Sequence, residues 1–144
     1  MKNLTQVDFY VTQYAALTEL NLLIAKISAK AFNQQERVFI LCQNRSHAEE
    51  LDNALWAYQD ISFLPHSLID ATPTNLSVNP ILLSYEEKSP QENGILINLS
   101  LTIPSWYQQF KRIIETVYEN NKTLARQHYT FYKDAGFSVK SHTI

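Results

Sequence analysis

Lys122, Arg126, Tyr129 and Lys133 fall at i, i+4, i+7 and i+11 in the run Lys122-Thr-Leu-Ala-Arg126-Gln-His-Tyr129-Thr-Phe-Tyr-Lys133. On a helix they share one stripe. The chemistry that suits them is capture of a carboxylate. Arg126 supplies a planar two-pronged donor, Tyr129 an apolar wall, and Lys122 a positive field for nearby acids. A solvated basic helix face has the same pattern, and both readings stand at this point. Leu124, Phe131 and Ala135 fall on other faces of that helix, closer to a core. A second constellation is Leu51-Asp-Asn-Ala-Leu-Trp56 followed by Phe63-Leu-Pro-His66. Trp56 ends an amphipathic helix and Phe63 begins the next apolar patch. Both aromatics read either as core residues or as an exposed patch that anchors a partner.

Residues for bond-making chemistry are poorly placed. The histidines are His47, His66, His128 and His142, and no pair has metal-ligand spacing on one helix. Ser46-His47 and Ser141-His142 are chain neighbours rather than parts of a triad, and no nucleophile elbow can be written. Glu49-Glu50 and Glu86-Glu87 read as solvated faces rather than paired catalytic acids. The chain has two glycines, Gly94 and Gly136, and neither follows a strand into a helix. The first strand leads instead into Gln13-Tyr-Ala-Ala-Leu17. Phosphate loops need backbone amides that come close to the ligand, so dinucleotide or P-loop binding is not expected. No catalytic residue, cofactor or metal site is expected.

The elements that must carry these residues alternate between strand and helix patterns. Val7–Thr12 reads as a first strand. Leu17 to Phe32 carries apolar residues at 17, 20, 23, 24, 27 and 31, a helical stripe. Arg37–Cys42 is a short apolar run suited to a strand covered on both faces, which also makes Cys42 a buried, inert thiol. Ser46-His-Ala-Glu49 reads as a capping box that opens a helix with Ala48, Leu51 and Leu55. Phe63-Leu-Pro-His66 reads as a short strand that the proline ends. Pro80–Tyr85 and Ile95–Leu99 are further strands. One helix is expected from Pro104 or Ser105 through Tyr118. Another is expected from Asn121 or Lys122 to a left-handed cap at Gly136. The fold class that follows is α/β, a Rossmann-like three-layer domain with a mostly parallel central sheet and no glycine-rich phosphate loop.

The length of 144 residues fits one domain spanning 1–144. No export signal or membrane-spanning run is present in the sequence, and a cytoplasmic protein is expected. The formal net charge is −2, too low for a protein built to grip phosphate backbones. Residues 1–110 carry 6 Lys/Arg and 11 Asp/Glu, whereas residues 111–144 carry 6 and 3. A locally basic C-terminal region on an acidic chain suits an acidic peptide better than a nucleic-acid track.

The motifs resemble those of the chi subunit of bacterial DNA polymerase III. Leu51-Asp-Asn-Ala-Leu-Trp56 with Ser62-Phe-Leu-Pro-His66 is similar to that family's "LDxxLW … SFxPH" signature. Ile95-Leu-Ile-Asn-Leu99 resembles its "DxLINL" strand. Ala125-Arg126 through Tyr129, Tyr132 and Ala135-Gly136-Phe137 resemble its "ARxxYxxYxxxGF" ending. Asp8-Phe-Tyr10 and Arg37-Val-Phe-Ile resemble its first two strands. The resemblance spans almost the whole chain. It implies a Rossmann-like fold without nucleotide binding and a non-catalytic role in DNA replication. It implies a complex with the psi subunit, which tethers chi to the clamp loader, or with a repair helicase in place of psi. It also implies binding of the acidic C-terminal tail of single-stranded DNA-binding protein, and so an indirect association with DNA. By motif match, Trp56, Phe63 and Pro65 fall on the psi or helicase side, and Lys122, Arg126, Tyr129 and Val117 on the tail side. The loop at 67–79 departs from the family pattern, which has glycines there. A small nucleotide-binding enzyme and a direct single-strand binder are the alternatives.

Overall fold

A computed structural model describes residues 5–57, 66–68, 81–86, 88–90 and 93–144. In chain order the elements are β1 (Gln6–Val11), α1 (Asn21–Asn33), β2 (Val38–Leu41), α2 (Arg45–Ala57), β3 (His66–Leu68), β4 (Ile81–Ser84), β5 (Ile95–Asn98), β6 (Arg112–Val117), α3 (Lys122–Asp134) and β7 (Ser138–Thr143). The strands form one sheet in the order β3-β4-β2-β5-β6-β1-β7, and each neighbouring pair runs parallel. Parallel strands need crossovers, and helices provide them by covering the faces. Hence every residue of β2, β4 and β5 is buried.

The period of two along each strand divides the core. Val38, Ile40, Ile81, Leu83, Ile95 and Ile97 turn to one face, where they meet Leu23 and Ile24 of α1 and Leu51 and Leu55 of α2. Phe39, Leu41, Leu82, Leu96 and Ile113 turn to the other, against Tyr107, Phe110 and the Ala125 and Tyr132 of α3. Each such side chain contributes about 1.5–3 kcal/mol when fully buried. The result is the expected three-layer α/β arrangement. Cys42 is 1% exposed, and burial pushes its thiol up to about 12, as its apolar run suggests.

Several local expectations are corrected. The segment expected to be helical from Pro104 or Ser105 to Tyr118 makes only one 3-10 turn, Tyr107–Gln109, and then enters β6. Ile113, Ile114, Thr116 and Val117 are β-branched, and they sit between β1 and β5 where such side chains pack well. The first turn of the expected helix at Leu17 is 3-10, and α1 proper starts at Asn21. The cap of α2 is Asn44 rather than Ser46. The Asn44 Oδ1 accepts the His47 N–H at 2.9 Å, and Glu49 pairs with Arg45 at 3.0 Å instead of reaching back to a cap. The core stripe of α3 is Ala125, His128 and Tyr132, whereas Phe131 is 44% exposed and Ala135 is exposed. After α3 comes a strand, β7, that the polar run Ser138–Thr143 did not suggest. Trp56 lies in α2. Phe63, Pro65 and the 69–79 part of the divergent loop lie outside the described residues.

Helices α1 and α3 end alike. At α1, Glu36 N–H reaches the Ala31 carbonyl (2.9 Å) and Gln35 N–H the Phe32 carbonyl (3.0 Å). At α3, Phe137 N–H reaches the Tyr132 carbonyl (3.1 Å) and Gly136 N–H the Lys133 carbonyl (3.0 Å). These are paired 6→1 and 5→2 bonds, which require a left-handed residue after the helix. Gly136 fills that place at φ 91°, and Gln35 at φ 61°.

Candidate functional site

At the start of α3 the helix stands off the sheet and leaves an open groove of about 400 Å³. Its floor is apolar: Phe9 and Val11 of β1, and Val117 at the end of β6, which is the register partner of Val11. Its helical side is Lys122, Ala125, Arg126 and Tyr129, and Ser141 of β7 closes the far edge. Asn121 fixes the turn that sets the helix there. Its Oδ1 accepts the Tyr118 N–H at 2.7 Å, and its Nδ2 donates to the Thr116 carbonyl at 2.9 Å. Tyr129 rests edge-on against Phe9, with ring centroids 5.4 Å apart, and stays 37% exposed. Lys122 Nζ lies 3.0 Å from Glu119, outside the groove. The Arg126 side chain is exposed, and its guanidinium meets no carboxylate among the described residues. Among the described residues no acidic side chain lines the groove. A concave surface with an apolar floor and two cations on one wall can take a peptide end that combines a carboxylate with an apolar side chain.

The fold thus brings together Val117, Lys122, Arg126 and Tyr129, and leaves Lys133 outside the lining. Phe9, Val11 and Ser141 were not singled out from the sequence. The alternation Val7, Phe9, Val11 signals one face of β1, but nothing local says which helix covers it. Ser141 lies on the unexpected β7.

Behind the groove α3 is fastened to the sheet by a buried polar cluster around Glu115 of β6. Asn98, its register partner on β5, donates to Oε2 at 2.9 Å, and the Tyr132 hydroxyl donates to the same oxygen at 2.7 Å. His128 Nδ1 lies 3.1 Å from Oε1. Burial alone would lower the pKa of His128, but the bond to Glu115, its negative charge and the Leu101 carbonyl together hold it above the ordinary value. Burial, followed by the charge of Glu115, pushes the Tyr132 hydroxyl far up, so it remains a donor.

The carboxyl ends of the central strands are where sheets of this class place their ligands. Here Asn98, Glu115, Tyr118 and His128 crowd the recess at the ends of β2, β5 and β6, and its volume is about 10 Å³. That is room for one water at most, far below the size of a nucleotide site. On the opposite sheet face, Asp8 is fully buried between Arg112 (Nε to Oδ2, 2.7 Å), His142 (Nε2 to Oδ1, 3.0 Å) and Gln6. Among the described residues no helix is long and apolar enough to cross a membrane, and no three His, Cys, Asp or Glu side chains are grouped to hold a metal.

Comparison with known proteins matches these features to one family. The family model described as DNA polymerase III chi subunit, HolC, matches residues 4–140. The chain is 33% identical over 150 residues to the DNA polymerase III subunit chi of Escherichia coli K12, covering 99% of each. It is 29% identical over 143 residues to that of Pseudomonas aeruginosa, covering 98% of each. It is 28% identical over 143 residues to that of Haemophilus influenzae, covering 95% of this chain and 96% of that one. With a family match from near the first residue to near the last, on a parallel α/β sheet, this chain belongs to the DNA polymerase III chi subunit family.

Proposed function

We propose that residues 1–144 act as one non-catalytic domain that joins the psi subunit of the clamp loader to the C-terminal tail of single-stranded DNA-binding protein. It would carry out no bond chemistry and would reach DNA only through that tail, in the cytoplasm where the replisome works. The observation that carries this reading is the groove, where Val117, Lys122, Arg126 and Tyr129 meet over an apolar floor with no acid among them. The tail's last carboxylate would take the Arg126 guanidinium, whose two-pronged geometry lysine cannot reproduce. Its final apolar side chain would lie on Phe9, Val11 and Val117 beside the Tyr129 ring. Upstream aspartates would sit in the field of Lys122, so binding would weaken as salt rises. Trp56, Phe63 and Pro65 would form the psi or helicase surface, on the strength of the family resemblance.

The test is calorimetry with a tail peptide bearing a free C-terminal acid and with the same peptide amidated. Arg126→Ala should cost about 2 kcal/mol, roughly thirtyfold in affinity, and Lys133→Ala, outside the lining, well under about 1 kcal/mol. Unchanged binding by Arg126→Ala would remove the groove as the site. Equal wild-type affinity for acid and amide would remove the carboxylate role.

A further inference from the structure

The groove lies between a sheet and a helix, so its width depends on what holds the helix down. Three residues of α3 are buried against the sheet: Ala125, His128 and Tyr132. Ala125 lines both the groove and the water-sized recess behind it. His128, less than one turn further on, sits between two acceptors. Glu115 Oε1 of β6 lies 3.1 Å from Nδ1, and the Leu101 carbonyl, in the loop after β5, also favours the charged ring. A neutral imidazole carries one N–H and can satisfy only one of these, whereas the protonated ring donates to both. The side chains of His128 and Glu115 are 9% and 5% exposed, so little water is available to replace a lost bond.

We infer that His128, in its protonated form, is a positioning residue of the groove: paired with Glu115 and Leu101, it fixes the height of α3 over β6, and the groove loosens when the ring gives up its proton. The groove's peptide role rests on the function proposed above; the coupling of helix position to protonation does not. The ionisable groups facing His128 are Glu115 and Tyr118 from β6 and the residue that follows it, and Tyr132 from α3 itself on the far side of the carboxylate. Asn98 of β5 and Gln43 after β2 add only uncharged groups. Among the described residues no Lys or Arg lines the recess to compete for Glu115. The sign follows from these partners. The charged ring is favoured in the folded chain, so the closed groove is complete at pH below about 6.5, the unfolded histidine value, and is lost as pH rises through the higher folded value. The neutral ring keeps a single N–H and can donate to only one of the two acceptors.

Nuclear magnetic resonance decides this without any ligand. The His128 ring nitrogens are titrated while the backbone amides of Lys122–Tyr129 and of Leu101 are followed. The expected result is one shared midpoint above about 6.5, with His128→Gln and Glu115→Gln flattening the response at Arg126 and Tyr129. Amides that ignore the His128 titration, or a ring neutral throughout pH 6 to 8, would overturn the inference. In the peptide assay the wild type should lose about fivefold in affinity across that midpoint, and His128→Gln should show no pH step there. A peptide that fails to bind at any pH would refute the function proposed for the groove while leaving the titration to judge His128. A peptide that binds equally well on both sides of the midpoint would refute the inference alone.

Discussion

The two helix ends that share one bonding pattern but differ in residue offer a paired test. Gly136 and Gln35 both occupy the left-handed position between a 5→2 and a 6→1 bond, at φ 91° and 61°. A side chain in that region costs about 1–2 kcal/mol. Replacing glycine by alanine also lowers the entropy of the unfolded chain, which offsets about 0.4–1 kcal/mol of this. A Cβ built on Gly136 meets nothing within 4 Å, so packing adds no penalty and backbone strain alone remains. Gly136→Ala should therefore destabilise by about 1 kcal/mol. Gln35 is exposed, and replacing it loses no buried contact. Gln35→Gly should relieve the same strain against the same entropy and stabilise by about 0.5–1 kcal/mol. For a chain of this length the unfolding entropy is about 0.3 kcal/mol/K, so the melting temperature should move by about 3 °C down for Gly136→Ala and about 2 °C up for Gln35→Gly. Thermal denaturation followed by circular dichroism reads both. If the two variants shift in the same direction, or if Gln35→Gly melts lower than wild type, the strain argument is wrong. Gly136→Ala also bears on the groove, because Gly136 turns the chain from α3 into β7 and so into Ser141.

Three further outcomes are expected. Gly94→Ala should lower stability by about 2 kcal/mol in urea melts, because its Cβ would lie 2.2 Å from the Arg37 carbonyl oxygen that accepts the Ile95 N–H; an unchanged midpoint would refute the close approach. For Asp8, burial alone would raise the pKa, but bonds from His142, Arg112 and Gln6 hold it below 3.8. Its stabilisation is therefore whole above that value and fades as pH falls through the folded pKa, so the deficit of Asp8→Asn, about 2 kcal/mol near neutrality, should shrink in melts toward about pH 3; a deficit constant with pH would contradict this. Trp56→Ala or Phe63→Ala should weaken psi or helicase association by more than about 2 kcal/mol with the fold intact, and a folded variant with unchanged partner affinity in calorimetry would exclude that surface.

Short-range pattern was enough for much of the architecture. The all-buried runs at Val38–Leu41, Ile81–Ser84 and Ile95–Asn98 announce strands covered on both faces, because a chain that hides every residue needs helices above and below. The stripe Lys122, Arg126, Tyr129 is set by helical geometry, and Gly136 marks where that helix must stop. The absence of a glycine turn after β1 is equally local. Other features depend on partners far along the chain. Arg112–Val117 is a strand because a slot between β1 and β5 receives it, and the polar Glu115 in its middle obscured that until Asn98, His128 and Tyr132 were placed around the carboxylate. The polar run Ser138–Thr143 has no apolar face of its own to declare it and becomes β7 by pairing with β1. The groove follows the same rule. Its cations lie within one helix and can be read from their spacing, but its floor and far edge come from β1, β6 and β7, with β1 about a hundred residues before the other two, and only the closed sheet brings them beneath the helix.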